Sequence, residues 1–411
     1  MKIGINASFL RKPETGIGQV TANFLEKLAE YGMQNIEYRK ESQKSTFDIQ
    51  HSTFILYAQE PTDIALPENF EVKTFLPRWW RRDDVPRQWL WERELAKRAV
   101  ADGCDVFLSL YQSATIFPKS KIPALPAGRK NQTSSPRHIM VVHDIIPKLF
   151  PEYVGRLSQQ WHWRAIERGI QKADRLVAVS QSTKNDSIQY LHIPEERLIV
   201  AYPGVAPVFH RNTEDAEVDA VLSRYGLERG YIYHGGGLEI RKNTRAVLEA
   251  YTLLRRQYTT EPCPSLVISG QIHAQTNRLA TDVEGIADTL GLTEHVHILG
   301  RVPLEDLPAL YRGAAVFVYP SLYEGLGLPP LEAFSQATPV IAARAASLPE
   351  VCGRAALFID PRRPDAIALA LERVLKEATL REELSREGQE RLQAFSYEHF
   401  TRVVMDQCLS L

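Results

Sequence analysis

The chain has 411 residues, more than a single hydrophobic core serves, so at least two domains are expected. Hydrophobic residues make up 44% and charged residues 24%, the balance of a globular protein. Lys and Arg number 49 against 50 Asp and Glu, and a net charge of -1 excludes nucleic-acid binding by bulk electrostatics.

In chain order, the first apolar run is KIGINA (2–7), read as a strand. ETGIGQVTANF (14–24) places Gly16 and Gly18 just before an amphipathic helix in which Val20, Phe24 and Leu28 share a face. The pair does not follow its strand directly and no third glycine completes GxGxxG, so it is not a dinucleotide fingerprint. PRWWRRDDVPRQWLWERELAKR (77–98) mixes tryptophans with arginines; core packing, an acceptor platform and membrane contact are all open readings. Asp83 and Asp84 in this segment read as surface charge, and no Asp-x-Asp follows a predicted strand, so no metal is expected. DVFLSL (105–110) and IMVVHD (139–144) are the next strands, the latter ending in His143; the Pro-, Lys- and Ser-rich stretch 118–138 between them reads as a mobile loop. RLVAVS (175–180) and LIVAYP (198–203) complete the first series, with Ser180 and Lys184 just beyond a strand end.

The polar stretch 204–230, broken by Gly and Pro, marks a boundary, giving an N-terminal domain over 1–205 and a C-terminal one over 206–395. The second series runs YIYHGG (231–236), SLVISG (265–270), HVHILG (295–300), AAVFVYP (314–320), PVIAA (339–343) and AALFID (355–360). Strands alternating with amphipathic helices predict α/β architecture: two doubly wound, Rossmann-like domains, with ligands in the cleft they face, at the carboxyl ends of the strands.

Two segments of the second half carry chemistry. YIYHGGGLEIRKN (231–243) ends a strand in three glycines, and Arg241 and Lys242 follow at the next helix start. Gly236 and Gly237 let backbone approach a ligand, and the two cations are suited to a diphosphate. SLYEGLGLPPLEAF (321–334) follows the strand AAVFVYP with a glycine turn and a helix carrying proline in its first turn. The amides of Gly325, Leu326, Gly327 and Leu328 are candidates for a phosphate, and the carboxylates of Glu324 and Glu332 for sugar hydroxyls. A sugar nucleotide offers both partners. Glu332 also reads as a glutamate that complements the helix dipole.

EGLGLPPLEA resembles the E-x7-E signature of family 4 retaining glycosyltransferases, which have the GT-B fold. PVIAARAASLPEVCGRAALFIDP resembles the family's usual continuation, and TGIG together with HDIIP looks most like bacterial surface-polysaccharide enzymes, many of them mannosyltransferases. The likeness implies that Glu324 meets the transferred sugar, Glu332 the nucleotide ribose, His143 the sugar's surroundings, and Gly16 and Gly18 the donor. The glycine–arginine–lysine segment also resembles the family's, although Gly237 stands where many members carry arginine, Ile240 replaces a proline and Gln19 an arginine. The resemblance implies an acceptor-binding first domain, a donor-binding second one, and a final helix (396–411) that crosses back onto the first.

The expected function is metal-independent, retaining transfer of a hexose, mannose foremost. GDP-mannose or a UDP-sugar serves as the nucleotide-sugar donor, with a glycan or lipid-linked acceptor and no cofactor. Arg241, Lys242, Glu324 and His143 form the catalytic set. A sugar-nucleotide epimerase and a non-catalytic nucleotide-sugar-binding subunit are the alternatives. Cys104, Cys263, Cys352 and Cys408 form no CxxC pair, which predicts free thiols in a reducing compartment. The N-terminus shows no apolar leader, and no run reaches the ~20 apolar residues of a span, so a cytoplasmic protein is expected, with contact at the inner membrane face left open.

Overall fold

A computed structural model describes residues 1–13, 15–33, 52–75, 85–117, 135–211, 213–271 and 278–410. Trp79, Trp80, Asp83, Asp84 and most of the stretch read as a loop, residues 118–134, lie outside the described residues. Those that are described form two compact units, Met1–Pro203 with Tyr397–Leu411, and Gly204–Ser396.

The first unit holds a parallel sheet of seven strands: β1 (Lys2–Asn6), β2 (Thr53–Ala58), β3 (Phe70–Thr74), β4 (Val106–Ser109), β5 (Arg137–Val142), β6 (Arg175–Ala178) and β7 (Leu198–Val200), in the order β3-β2-β1-β4-β5-β6-β7. Its central strands are continuous apolar runs because helices cover both faces; Ile139 to Val142 are all fully buried. The reading of the sequence contains neither β2 nor β3. TFILYA (β2) is an apolar run that fits a buried helix turn as well as a strand. FEVKT (β3) is an edge strand whose exposed Glu71 dilutes any apolar signal.

The second unit holds six parallel strands: β8 (Tyr231–His234), β9 (Leu266–Ser269), β10 (Val296–Gly300), β11 (Ala314–Tyr319), β12 (Val340–Ala343) and β13 (Ala356–Ile359), in the order β10-β9-β8-β11-β12-β13. The polar stretch 204–230 is more structured than its composition suggests. It contains a helix, Asp215–Arg224, which buries Val218, Val221 and Leu222 at helical spacing.

Each sheet has one place where the strand order reverses: between β1 and β4 in the first unit, and between β8 and β11 in the second. Crossovers leave such neighbouring strands toward opposite faces, which opens a crevice at their carboxyl ends. The segments after β8 and β11 are the two that carry the cations and the carboxylates. The last helix, Tyr397–Leu409, belongs to the first unit, where Phe400 meets Phe24 of the helix Gly16–Met33 edge to face at 6.2 Å.

Candidate functional site

After β8 the chain turns through Gly235, Gly236 and Gly237 into a short 3-10 turn, Ile240–Lys242, and then the helix Thr244–Arg255. Gly236 (φ 89°) and Gly237 (φ 104°) occupy the left-handed region that side chains rarely enter. A Cβ on Gly236 would lie 2.8 Å from Pro329 Cγ, so this glycine lets the β8 segment pack directly on the helix that follows β11. Any side chain at position 237, arginine included, would be strained at that φ.

After β11 come Pro320, Ser321 and Glu324, and the helix Leu328–Ser335 opens with Gly327 at its cap. Pro329 and Pro330 have no N–H, so the first turn keeps fewer donors than an ordinary helix start. Among the described residues, no hydrogen bond within the chain engages the N–H groups of Leu326, Gly327 and Leu328. The Ser347 hydroxyl fixes the turn by donating to the carbonyls of Glu324 (3.0 Å) and Leu326 (2.7 Å).

The two segments meet at Glu324, which is 7% exposed. Its Oε1 accepts from Lys242 Nζ at 2.8 Å, the Tyr319 hydroxyl at 2.8 Å and the Ser321 hydroxyl at 2.5 Å. Its Oε2 pairs with Arg241 Nη1 at 2.8 Å. Lys242 also donates to the Tyr319 hydroxyl at 2.6 Å, and Arg241 Nε pairs with Glu239 at 2.7 Å. Burial pushes the Glu324 carboxyl up, but Arg241 and Lys242 outweigh it and hold the group at about 2. Burial, reinforced by Arg241, lowers the Lys242 ammonium against the pull of Glu324.

Glu332 stands apart from this knot. It falls beyond the first turn of its helix, is 6% exposed, and its Oε2 accepts from the Tyr311 hydroxyl at 2.8 Å. The helix-dipole reading therefore does not hold. Burial pushes its carboxyl up to about 7, with Tyr311 and then Lys242 pulling weakly the other way. Lys242, Arg241, Glu324, Glu332, Gly236, Gly237 and the 325–328 turn thus share one unit.

His143, Gly16 and Gly18 belong to the other unit. His143 follows β5, and its Nε2–H donates to the Leu110 carbonyl at 2.8 Å, just past β4. Burial holds the ring at about 4, so it is neutral near pH 7. Gly16 and Gly18 lie inside the first helix, not before it. A Cβ on Gly18 would come within 1.7 Å of the Lys12 carbonyl oxygen, so this glycine has a packing reason independent of any ligand. A cavity of about 360 Å³ opens between the segments after β1 and β2, lined by Ser8, Arg11, Glu26, Glu60 and Asp63 among others. Trp91 stacks on Phe75 at 4.1 Å and Trp163 is buried, whereas Trp89 and Trp161 are 40% and 68% exposed.

Tyr319, Ser321, Tyr311 and Ser347 are absent from the sequence-derived site. Tyr319 and Ser321 flank Pro320 where the strand ends, a visible signal; Tyr311 sits in LPALYRG with none. Among the described residues, no group of three or more His, Cys, Asp or Glu is placed to hold a metal ion, and no helix is long and apolar enough to cross a membrane.

Residues 226–391 match the family of glycosyl transferases group 1, and residues 50–209 match Glycosyltransferase Family 4. An O-antigen chain mannosyltransferase B of Escherichia coli is 34% identical over 267 residues, covering 64% of this chain and 68% of that one. A serotype-specific mannosyltransferase, WbdA, of Escherichia coli is 28% identical over 65% of this chain, but the match spans only 33% of that larger protein. Among solved structures, Anabaena HepE in complex with UDP-glucose superposes with a TM-score of 0.71 at 15% identity, covering 100% of both chains. Sucrose-phosphate synthase from Thermosynechococcus elongatus gives 0.69 at 17% identity, covering 100% of this chain and 98% of that one. The fold is GT-B. The chain belongs to glycosyltransferase family 4 and is a glycosyltransferase.

Proposed function

We propose that this enzyme transfers a hexose, mannose in the first instance, from a nucleoside-diphosphate sugar to a hydroxyl of a glycan or lipid-linked acceptor. In this reading configuration is retained and no metal takes part. The observation that carries the reading is the knot of Arg241, Lys242 and Glu324 at the strand reversal between β8 and β11. Two fixed cations beside open amides answer a leaving diphosphate, the work a metal ion does elsewhere. The names of the mannosyltransferase relatives support mannose, and GDP-mannose with it; UDP-glucose in HepE keeps UDP-sugars in the test set.

The second unit takes the donor and the first the acceptor. Lys242, Arg241 and the 326–328 amides hold the diphosphate, Glu324 accepts from sugar hydroxyls, and Glu332 accepts from the ribose. In the first unit His143, neutral with its Nε2–H held by the Leu110 carbonyl, can only accept, through Nδ1, which is the role proposed for it toward the sugar; Gly16 and Gly18 are proposed to meet the donor. The bond from the anomeric carbon to the diphosphate oxygen breaks. The acceptor oxygen bonds to that carbon from the same face, and its proton passes to the departing diphosphate. Arg241 is shared between Glu239 and Glu324 before donor arrives, so binding exchanges carboxylate partners for phosphate ones. Contact with the inner membrane face, where lipid-linked acceptors lie, fits the exposed Trp161 and Trp89.

The test is incubation of the enzyme, with EDTA present, with GDP-mannose, UDP-glucose and other nucleotide sugars and a mannose-ended oligosaccharide. The products are read by mass and by anomeric coupling in NMR. A product of inverted configuration, or one formed only with added metal, overturns the corresponding part of the reading. An altered donor sugar without acceptor points to an epimerase, and nucleotide binding without product to a silent subunit.

A further inference from the structure

Lysine carries three N–H donors on a flexible stem, so a lysine that must meet one phosphate needs something else to aim it. Lys242 is held unusually well. One donor goes to Glu324 Oε1 at 2.8 Å and another to the Tyr319 hydroxyl at 2.6 Å. The Tyr319 hydroxyl donates in turn to the same carboxylate oxygen at 2.8 Å, which closes a three-membered ring of hydrogen bonds. The ammonium also lies 5.1 Å from the centre of the Tyr319 ring. Among the described residues, no partner takes the third N–H. Tyr319 itself is closely packed: it ends β11, is fully buried, stacks on Phe317 at 5.6 Å and lies against the Gly236 backbone.

We propose that Tyr319 is a positioning residue. By occupying one donor of Lys242 and bracing Glu324, it aims the remaining Lys242 N–H at the donor's diphosphate. The same bond divides the labour within Glu324. Oε1 is saturated by Lys242, Tyr319 and Ser321, while Oε2, with Arg241 alone, is the oxygen open to a sugar hydroxyl. This inference rests on the donor-site reading above, and the experiment separates the two.

The full-length Tyr319→Phe variant keeps the ring and loses only the hydroxyl. Its control is Tyr251→Phe, which removes a buried hydroxyl bonded to the carbonyls of Pro264 (2.9 Å) and His295 (3.3 Å) in the same unit. Binding of UDP, GDP, ADP and TDP is measured by titration calorimetry from pH 6 to about 10, alongside melting temperature. For whichever nucleotide the wild type binds, Tyr319→Phe weakens binding about tenfold, the size expected for a hydrogen bond to a charged group. Its affinity also falls off at lower pH, because an ammonium with one acceptor fewer gives up its proton more readily. Tyr251→Phe melts lower by a similar amount and binds as the wild type does. Equal affinity and pH limb in Tyr319→Phe and wild type, or an equal loss in Tyr251→Phe, overturns the positioning role. A wild type that binds none of the four nucleotides overturns the donor site itself, and the proposal with it.

Discussion

The carboxyl edges of the two sheets solve different problems. The edge between β8 and β11 concentrates formal charge: Arg241 and Lys242 both pair with a buried Glu324. Among the described residues, the edge between β1 and β4 gathers hydrogen-bonding groups, and no Lys or Arg pairs with its buried carboxylate. There the Tyr111 hydroxyl receives Asn6 Nδ2 at 3.0 Å and Gln88 Nε2 at 3.0 Å, and Ser109 meets His138 at 2.9 Å. Glu92, buried in the same place, is met by Gln88 Nε2, the Tyr111 hydroxyl, the Ala114 amide and His162. Phosphate needs charge placed in a poorly solvated site; hydroxyls need directional partners. The contrast motivates the proposal above, with the donor on the second unit and the acceptor on the first.

The contrast breaks if removing charge from the second edge leaves transfer intact. Lys242→Ala is expected to lower kcat by roughly a thousandfold, the scale of losing a transition-state donor, with Arg241 left to hold Glu324. Turnover within tenfold of the wild type would remove the functional meaning of the knot. Glu332 sharpens the contrast within the second unit, because burial raises its carboxyl from 4.5 to about 7 where burial fails to raise Glu324. The folded state thus binds a proton that the unfolded chain has released. Stability from Glu332 is complete below pH 4.5 and is lost as pH rises through about 7. Its total is about 3 kcal/mol. Glu332→Gln should lose this slope, read as the difference between wild-type and variant denaturation midpoints from pH 4.5 to 8. Taking the difference cancels the opposite slope of the buried His234, whose ring burial holds at about 4. If the two curves run parallel, Glu332 stays ionised. The smallest effect falls on the first unit: His143→Ala is expected to slow transfer about tenfold, the worth of one positioned hydrogen bond, while nucleotide affinity stays unchanged. A loss of nucleotide affinity in that variant would put His143 in the donor site.

Much of the fold is legible because its signals are local. Eleven apolar runs fall on strands, and the alternation with helices requires parallel sheets covered on both faces. β3 is harder to see because an edge strand carries little of that signal. The charged members of the site are legible for a similar reason. Lys242 and Glu324 each follow a strand and a glycine or proline, where a charge has little packing purpose. Tyr311 and Ser347 are not, since a tyrosine or serine at those positions satisfies ordinary core or cap rules.

The sequence by itself determined two α/β units and the residue types that carry charge at the strand ends, since both follow from spacing and composition over a few residues. Only the tertiary structure decided which charge answers which. Lys242 and Glu324 are 82 residues apart and meet because β8 and β11 lie side by side in the sheet. The same packing drives Glu332 and Tyr311 out of water together. Pairing and desolvation depend on neighbours distant in the chain, and local periodicity holds no record of them.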